Sequence, residues 1–134
     1  MFLPHLIAQV ELVHSHGAIY VYYDYGKMSR FIDMYLNAGI DCLMTMTPPP
    51  IGDVLPELAK EKHGRDIVLM GGVDAVYEIH LSEPVAILKM VKERLNTFKP
   101  GGAYILDGSN SLVFETPPEN VRAFAEADLE FGSY

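Results

Sequence analysis

Four times along the chain an apolar run of strand length ends at a turn marked by glycine or proline and gives way to a segment with helical spacing. That alternation limits the fold more than any other feature, because strands separated by helices pair in parallel. Leu6, Ile7, Val10 and Val13 recur at three and four residues and predict an opening helix that stops at Gly17. The first strand, Ala18 to Tyr25, is rich in β-branched and aromatic residues, and the helix after it, Lys27 to Ala38, carries Phe31, Ile32, Tyr35 and Leu36 on one face. The run from Ile40 to Met46 is broken by Pro48, Pro49 and Pro50, and a short helix is expected over Val54 to His63. Asp66 to Asp74 forms the third strand, with a glycine pair near its end. Ser82 is placed to cap a long helix bearing Pro84 in its first turn and Val85, Leu88, Val91 and Leu95 at helical spacing. Gly102 to Gly108 is the fourth strand. Thr116 and Glu119 have the spacing of a capping box on a last helix with Pro117 at its first position.

The order is one helix followed by four βα units, with near-continuous apolar strands of the kind a covered parallel sheet needs. An open doubly wound sheet and half of a (β/α)8 barrel both satisfy it. At 134 residues the chain makes one domain, 1–134, and is too short for the ~250 residues of a whole barrel.

Composition removes several functions. Hydrophobic residues make up 49% and charged residues 21%, so the chain can build a core. A net charge of −8 with no basic run predicts no nucleic-acid partner. No apolar stretch approaches the ~20 residues that cross a bilayer, the start lacks a basic export region, and the single Cys42 cannot make an internal disulfide. These features predict a cytoplasmic protein with no membrane partner. The glycine pairs match no phosphate-binding loop, which leaves nucleotide binding unsupported.

In either architecture ligands meet the carboxyl ends of the strands, which selects Tyr23 to Gly26, Thr45 to Thr47, Gly71 to Asp74 and Asp107 to Asn110. Asp24, Asp74 and Asp107 put three carboxylates there, suited to acid–base work or to capping the following turns. Asp74 and Asp107 are the catalytic candidates. Gly72, just before Asp74, would let a ligand approach the backbone. Alternation sends Tyr23 and Tyr25 to one face of their strand and Tyr20 and Tyr22 to the other, so the first pair offers aromatic walls with hydroxyl handles, or simply packs. His14 and His16 lie at the opposite end, near a helix stop, and Cys42 sits without a basic neighbourhood. Neither supports a metal site or a nucleophile.

The succession V-H-S-H-G, a strand closing on Tyr25-Gly26, NAGIDCL, DIVLMGGVD, PGGAYILDGSN and TPPENV resembles the C-terminal half of the uroporphyrinogen decarboxylase superfamily over essentially all 134 residues. That superfamily holds the tetrapyrrole decarboxylases and the corrinoid-linked, often zinc-dependent methyltransferases. The resemblance implies the last four strands of a (β/α)8 barrel, the N-terminal half lying outside the sequence. Such a chain is either a piece of a longer enzyme or a half-barrel that pairs with a complementary half or a second copy.

The departures are informative. Where the methyltransferases commonly carry H-x-C-G, this sequence has Tyr23-Asp24-Tyr25-Gly26, and near the third zinc ligand it has Asn110. The resemblance therefore implies methyl transfer linked to a corrinoid or tetrapyrrole without a zinc site, with Tyr23, Tyr25, Gly72 and Asn110 binding substrate. No metal or cofactor is expected on this chain itself, and a corrinoid protein is the expected partner. A porphyrin-forming carboxy-lyase is the alternative, although only Lys27 is basic near the strand ends. A non-catalytic assembly module is the third reading, and the half-barrel alone is expected to be inactive.

Overall fold

A computed structural model describes residues 2–134. Four parallel strands, β1 (Val21–Tyr23), β2 (Cys42–Met44), β3 (Val68–Gly72) and β4 (Tyr104–Asp107), form one sheet in sequential order. Around them run α1 (Leu3–Ser15), a 3₁₀ turn Ser29–Phe31 leading into α2 (Ile32–Asn37), α3 (Pro56–His63), a π-helical turn Ala75–His80, α4 (Pro84–Phe98) and α5 (Pro118–Phe131). Sequential order separates the two candidate architectures. Right-handed crossovers between strands laid down in order all place their helices on the same face, whereas a doubly wound sheet reverses order at a switch point. The chain is half of a (β/α)8 barrel.

The register sorts the strand side chains. Tyr22 pairs with Leu43, and Leu69 with both Leu43 and Tyr104, so these four share the helix-facing side. Tyr22 packs against Tyr35 of α2 at 4.7 Å between ring centroids, and Tyr104 stacks on Phe98 of α4 at 4.6 Å. Leu43, Leu69 and Phe98 are fully buried. Each such aliphatic side chain taken from water contributes about 1.5–3 kcal/mol. The opposite side, which faces inward in a barrel, carries Val21, Tyr23, Met44, Met70 and Ile105. Val21, Tyr23 and Ile105 are 46%, 51% and 48% exposed.

Several element boundaries differ from the sequence expectation. β1 is three residues rather than eight; at its C-terminal end the Asp24 carboxylate accepts the Tyr25 amide at 2.8 Å, where the chain leaves the ladder. α2 starts late: Asp53 takes both the amide and the hydroxyl of Ser29 and holds the preceding turn. α3 begins at Pro56, not Val54, since proline confines Leu55 to extended backbone. Ser82 does not cap α4. The cap position is Glu83, and the Ser82 carbonyl instead accepts from Asn120 Nδ2 at 2.7 Å. Thr116 makes no capping box either, as the helix begins at Pro118 and the Thr116 hydroxyl has no partner. Within α4, Val91 and Leu95 are buried as expected, but Val85 is exposed and Ile87 takes its place inside.

Candidate functional site

The carboxyl ends of the strands form the rim, and two hydrogen-bonded pairs span it. The Tyr23 hydroxyl donates to Asn110 Oδ1 at 3.4 Å, and the Tyr25 hydroxyl donates to Asp74 Oδ2 at 3.3 Å. Asn110 lies near enough to the Tyr25 hydroxyl to lower its pKa, so the two pairs sit side by side. Four of the residues singled out in sequence thus come together from β1 and from the loops after β3 and β4. Burial raises the Tyr25 pKa above the ordinary phenol value; the nearby Asn110 amide opposes this, and the Asp74 carboxylate adds to it. Tyr25 is therefore a neutral donor at physiological pH.

Asp74 is fully buried, and its roles are divided between its oxygens. Oδ1 accepts the amides of Val76 at 2.9 Å and Tyr77 at 2.7 Å, capping the π-helical turn, while Oδ2 faces Tyr25. Glu78 answers from inside that turn, its Oε2 accepting the Asp74 amide at 2.8 Å. Its other oxygen pairs with Arg94 Nη2 at 2.9 Å, and Arg94 Nε donates to the Gly72 carbonyl at 2.8 Å. This network holds the backbone on both sides of the Gly72–Asp74 segment. Sequence reasoning missed Glu78 and Arg94: the acid stands four residues after Asp74, one more than the capping-box spacing, because the turn between them is π-helical.

Three other singled-out residues lie apart from these two pairs. Asp107 Oδ2 accepts the Ser109 amide at 3.0 Å and shapes its own turn. Asp24 receives the Tyr35 hydroxyl, a helix-side contact. Gly72 lies against α4. A Cβ there would stand 3.0 Å from Phe98 Cε2, so the glycine serves close packing with α4, and its φ of +88° needs glycine in any case.

The remaining chemical candidates are accounted for locally. His14 Nε2 bonds Asp41 Oδ2 at 2.7 Å, and His16 Nδ1 lies 2.9 Å from the Leu12 carbonyl. Cys42 is buried, and burial pushes its thiol up to about 11. Among the described residues no three His, Cys, Asp or Glu side chains converge as a metal set. The rim donors Tyr23, Tyr25 and Asn110 do not fit zinc, which favours thiolate and imidazole. No helix is long and apolar enough to cross a membrane among the described residues.

Residues 1–130 match the protein family described as uroporphyrinogen decarboxylase (URO-D). A solved methyltransferase from Methanosarcina mazei shares the fold with a TM-score of 0.75 at 20% sequence identity, over 99% of this chain and 36% of that one. This chain therefore spans little more than a third of that methyltransferase. No curated protein matches it.

Proposed function

Because the chain belongs to the uroporphyrinogen decarboxylase family, we propose that it supplies one half of the rim of an enzyme that transfers a methyl group, linked to a corrinoid or tetrapyrrole and without zinc. The observation that carries this reading is the two hydrogen-bonded pairs, Tyr23–Asn110 and Tyr25–Asp74, side by side at the strand ends. It offers neutral donors and a single buried carboxylate, suited to orienting a small, weakly charged substrate. Asp74 fixes the Tyr25 hydroxyl, and Tyr25 with Asn110 would hold the polar group that bears the methyl. Tyr23 would wall the hollow. Positioning of this kind needs groups from the whole rim, so the half alone is expected to be inactive. A corrinoid protein would be the partner that exchanges the methyl group.

Porphyrin decarboxylation has weaker support. Its polycarboxylate substrate calls for several cations at the rim. Lys27 is exposed nearby, and Arg94 is committed to Glu78 and the Gly72 carbonyl.

The test is methyl transfer in an assembly with a closed barrel, either from a methylated corrinoid to a thiol, leaving the thioether and Co(I) corrinoid, or from a methoxylated compound to the Co(I) corrinoid, leaving the methylated corrinoid and the free hydroxyl compound. The expected result is turnover that a zinc chelator leaves unchanged and that Tyr25→Phe and Asp74→Asn each lower at least tenfold. Carbon dioxide release from uroporphyrinogen, or no turnover with either substrate class, would overturn it, the latter in favour of a non-catalytic assembly module.

A further inference from the structure

The sheet ends on both sides in unpaired backbone. In a parallel ladder alternate residues direct both N–H and C=O to the same side. The Cys42 amide bonds the Tyr20 carbonyl and the Leu69 amide bonds the Ala103 carbonyl. Tyr20 and Tyr22 therefore face β2, and Ala103 and Ile105 face β3. Val21 and Tyr23 on β1, and Tyr104 and Leu106 on β4, point their peptide groups outward. The β4 edge already attracts a donor: the Tyr134 hydroxyl bonds the Tyr104 carbonyl at 2.7 Å. Two such edges, flanking a half-exposed apolar face, form a surface that isolated chains avoid.

We propose that a second copy of this chain covers this face, the two sheets joining edge to edge into one eight-stranded barrel. One copy carries both kinds of edge that closure requires. A two-fold axis along the barrel lays the β1 edge of each copy beside the β4 edge of the other and makes two identical junctions, with every strand parallel. Eight strands is the number at which side chains just fill the interior. Val21, Met44, Met70 and Ile105 of each copy then become uncharged core, with Tyr23 and Asp107 at its rim end. The net charge of −8 per chain opposes association at long range, where salt screens it. The partner also completes the rim, since its own Tyr23, Tyr25, Asp74 and Asn110 enter the same hollow. This inference rests on the sheet and not on the reaction class, so it can fail while the methyl-transfer reading stands, and the reverse.

Size-exclusion chromatography with light scattering on the purified chain, together with amide hydrogen exchange, tests it. The expected species has twice the 14.9 kDa chain mass, and added salt stabilises it against dilution. On dimerisation the outward amides of Val21, Tyr23, Tyr104 and Leu106 should gain protection, at least tenfold, while Tyr22 and Ile105, bonded within the sheet, are protected at every concentration. Val21→Pro removes an outward N–H without touching the β1–β2 ladder, and Ile105→Lys puts a charge on the inward face. Both should give folded monomers by circular dichroism. A monomer at tens of micromolar, a dimer whose edge amides stay unprotected, or open-ended aggregates would each overturn the proposal. If either variant unfolds, the exchange pattern of the unmodified chain still decides.

Discussion

Tyr25 and Asp74, 49 residues apart in the chain, meet at the rim through one hydrogen bond of 3.3 Å from the phenol to Oδ2. The same carboxylate caps the π-helical turn through Oδ1, so its structural and rim roles are separable by substitution. Asparagine keeps an oxygen for the Val76 and Tyr77 amides. Asp74→Asn should therefore cost less than about 1 kcal/mol, and Asp74→Ala about 1–2 kcal/mol, the usual cost of losing a cap. Urea unfolding of the two variants measures the difference. Equal losses would show that the carboxylate contributes more than its cap.

Glu78 and Arg94 are coupled. Each is about four-fifths buried, and each makes a second bond, Glu78 to the Asp74 amide and Arg94 to the Gly72 carbonyl. Removing one partner strands the other inside, so Glu78→Gln and Arg94→Met should each cost roughly 1–3 kcal/mol. The double variant should cost clearly less than their sum. A double-mutant cycle in urea reads the interaction directly, and additivity within ~0.3–0.5 kcal/mol would show that the two side chains act independently.

The parts of this structure legible in sequence are those set by pattern. Alternation put Tyr22 and Tyr23 on opposite faces of β1, and glycine stops fixed where α1 and α2 end. The half-barrel followed from the βα order together with the family resemblance. What stayed hidden depends on contacts distant in the chain. Asp53 delays α2 from 24 residues downstream of Ser29, and Asn120 claims the Ser82 carbonyl from 38 residues away. The π-helical turn is invisible to a 3.6-residue period, and the packing of Gly72 stayed hidden because its neighbour, Phe98, arrives from α4. Candidate site residues were legible where strand ends converge and illegible where one side chain buttresses another, as Arg94 does.

Gly72 offers a sharp packing test. Alanine there meets two obstacles, a φ of +88° and a Phe98 ring atom 3.0 Å from the new Cβ. Strain and overpacking together should cost about 2–4 kcal/mol. Phe98→Leu in the Gly72→Ala background relieves only the overpacking, so the pair should be less damaging than the two single changes added. Thermal unfolding of the four proteins measures this. Strict additivity would place the whole cost in the backbone.

His63 makes the stability of the fold depend on pH. It is 4% exposed at the end of α3, and burial lowers its pKa below the ordinary imidazole value. The neighbouring Lys62 lowers it further, while Asp33 and Asp66 pull the other way. Below the unfolded value of ~6.5 the unfolded chain takes up a proton that the folded chain resists, so stability is fully present above that pH and is lost as acid is added. The urea midpoint should fall between pH 7 and pH 5, well above the range in which the depressed carboxylates of Asp33, Asp41 and Asp53 titrate. His63→Leu should flatten that slope, leaving a chain whose remaining acid sensitivity begins only near the carboxylate range. A slope unchanged by the substitution would place the proton uptake on another group.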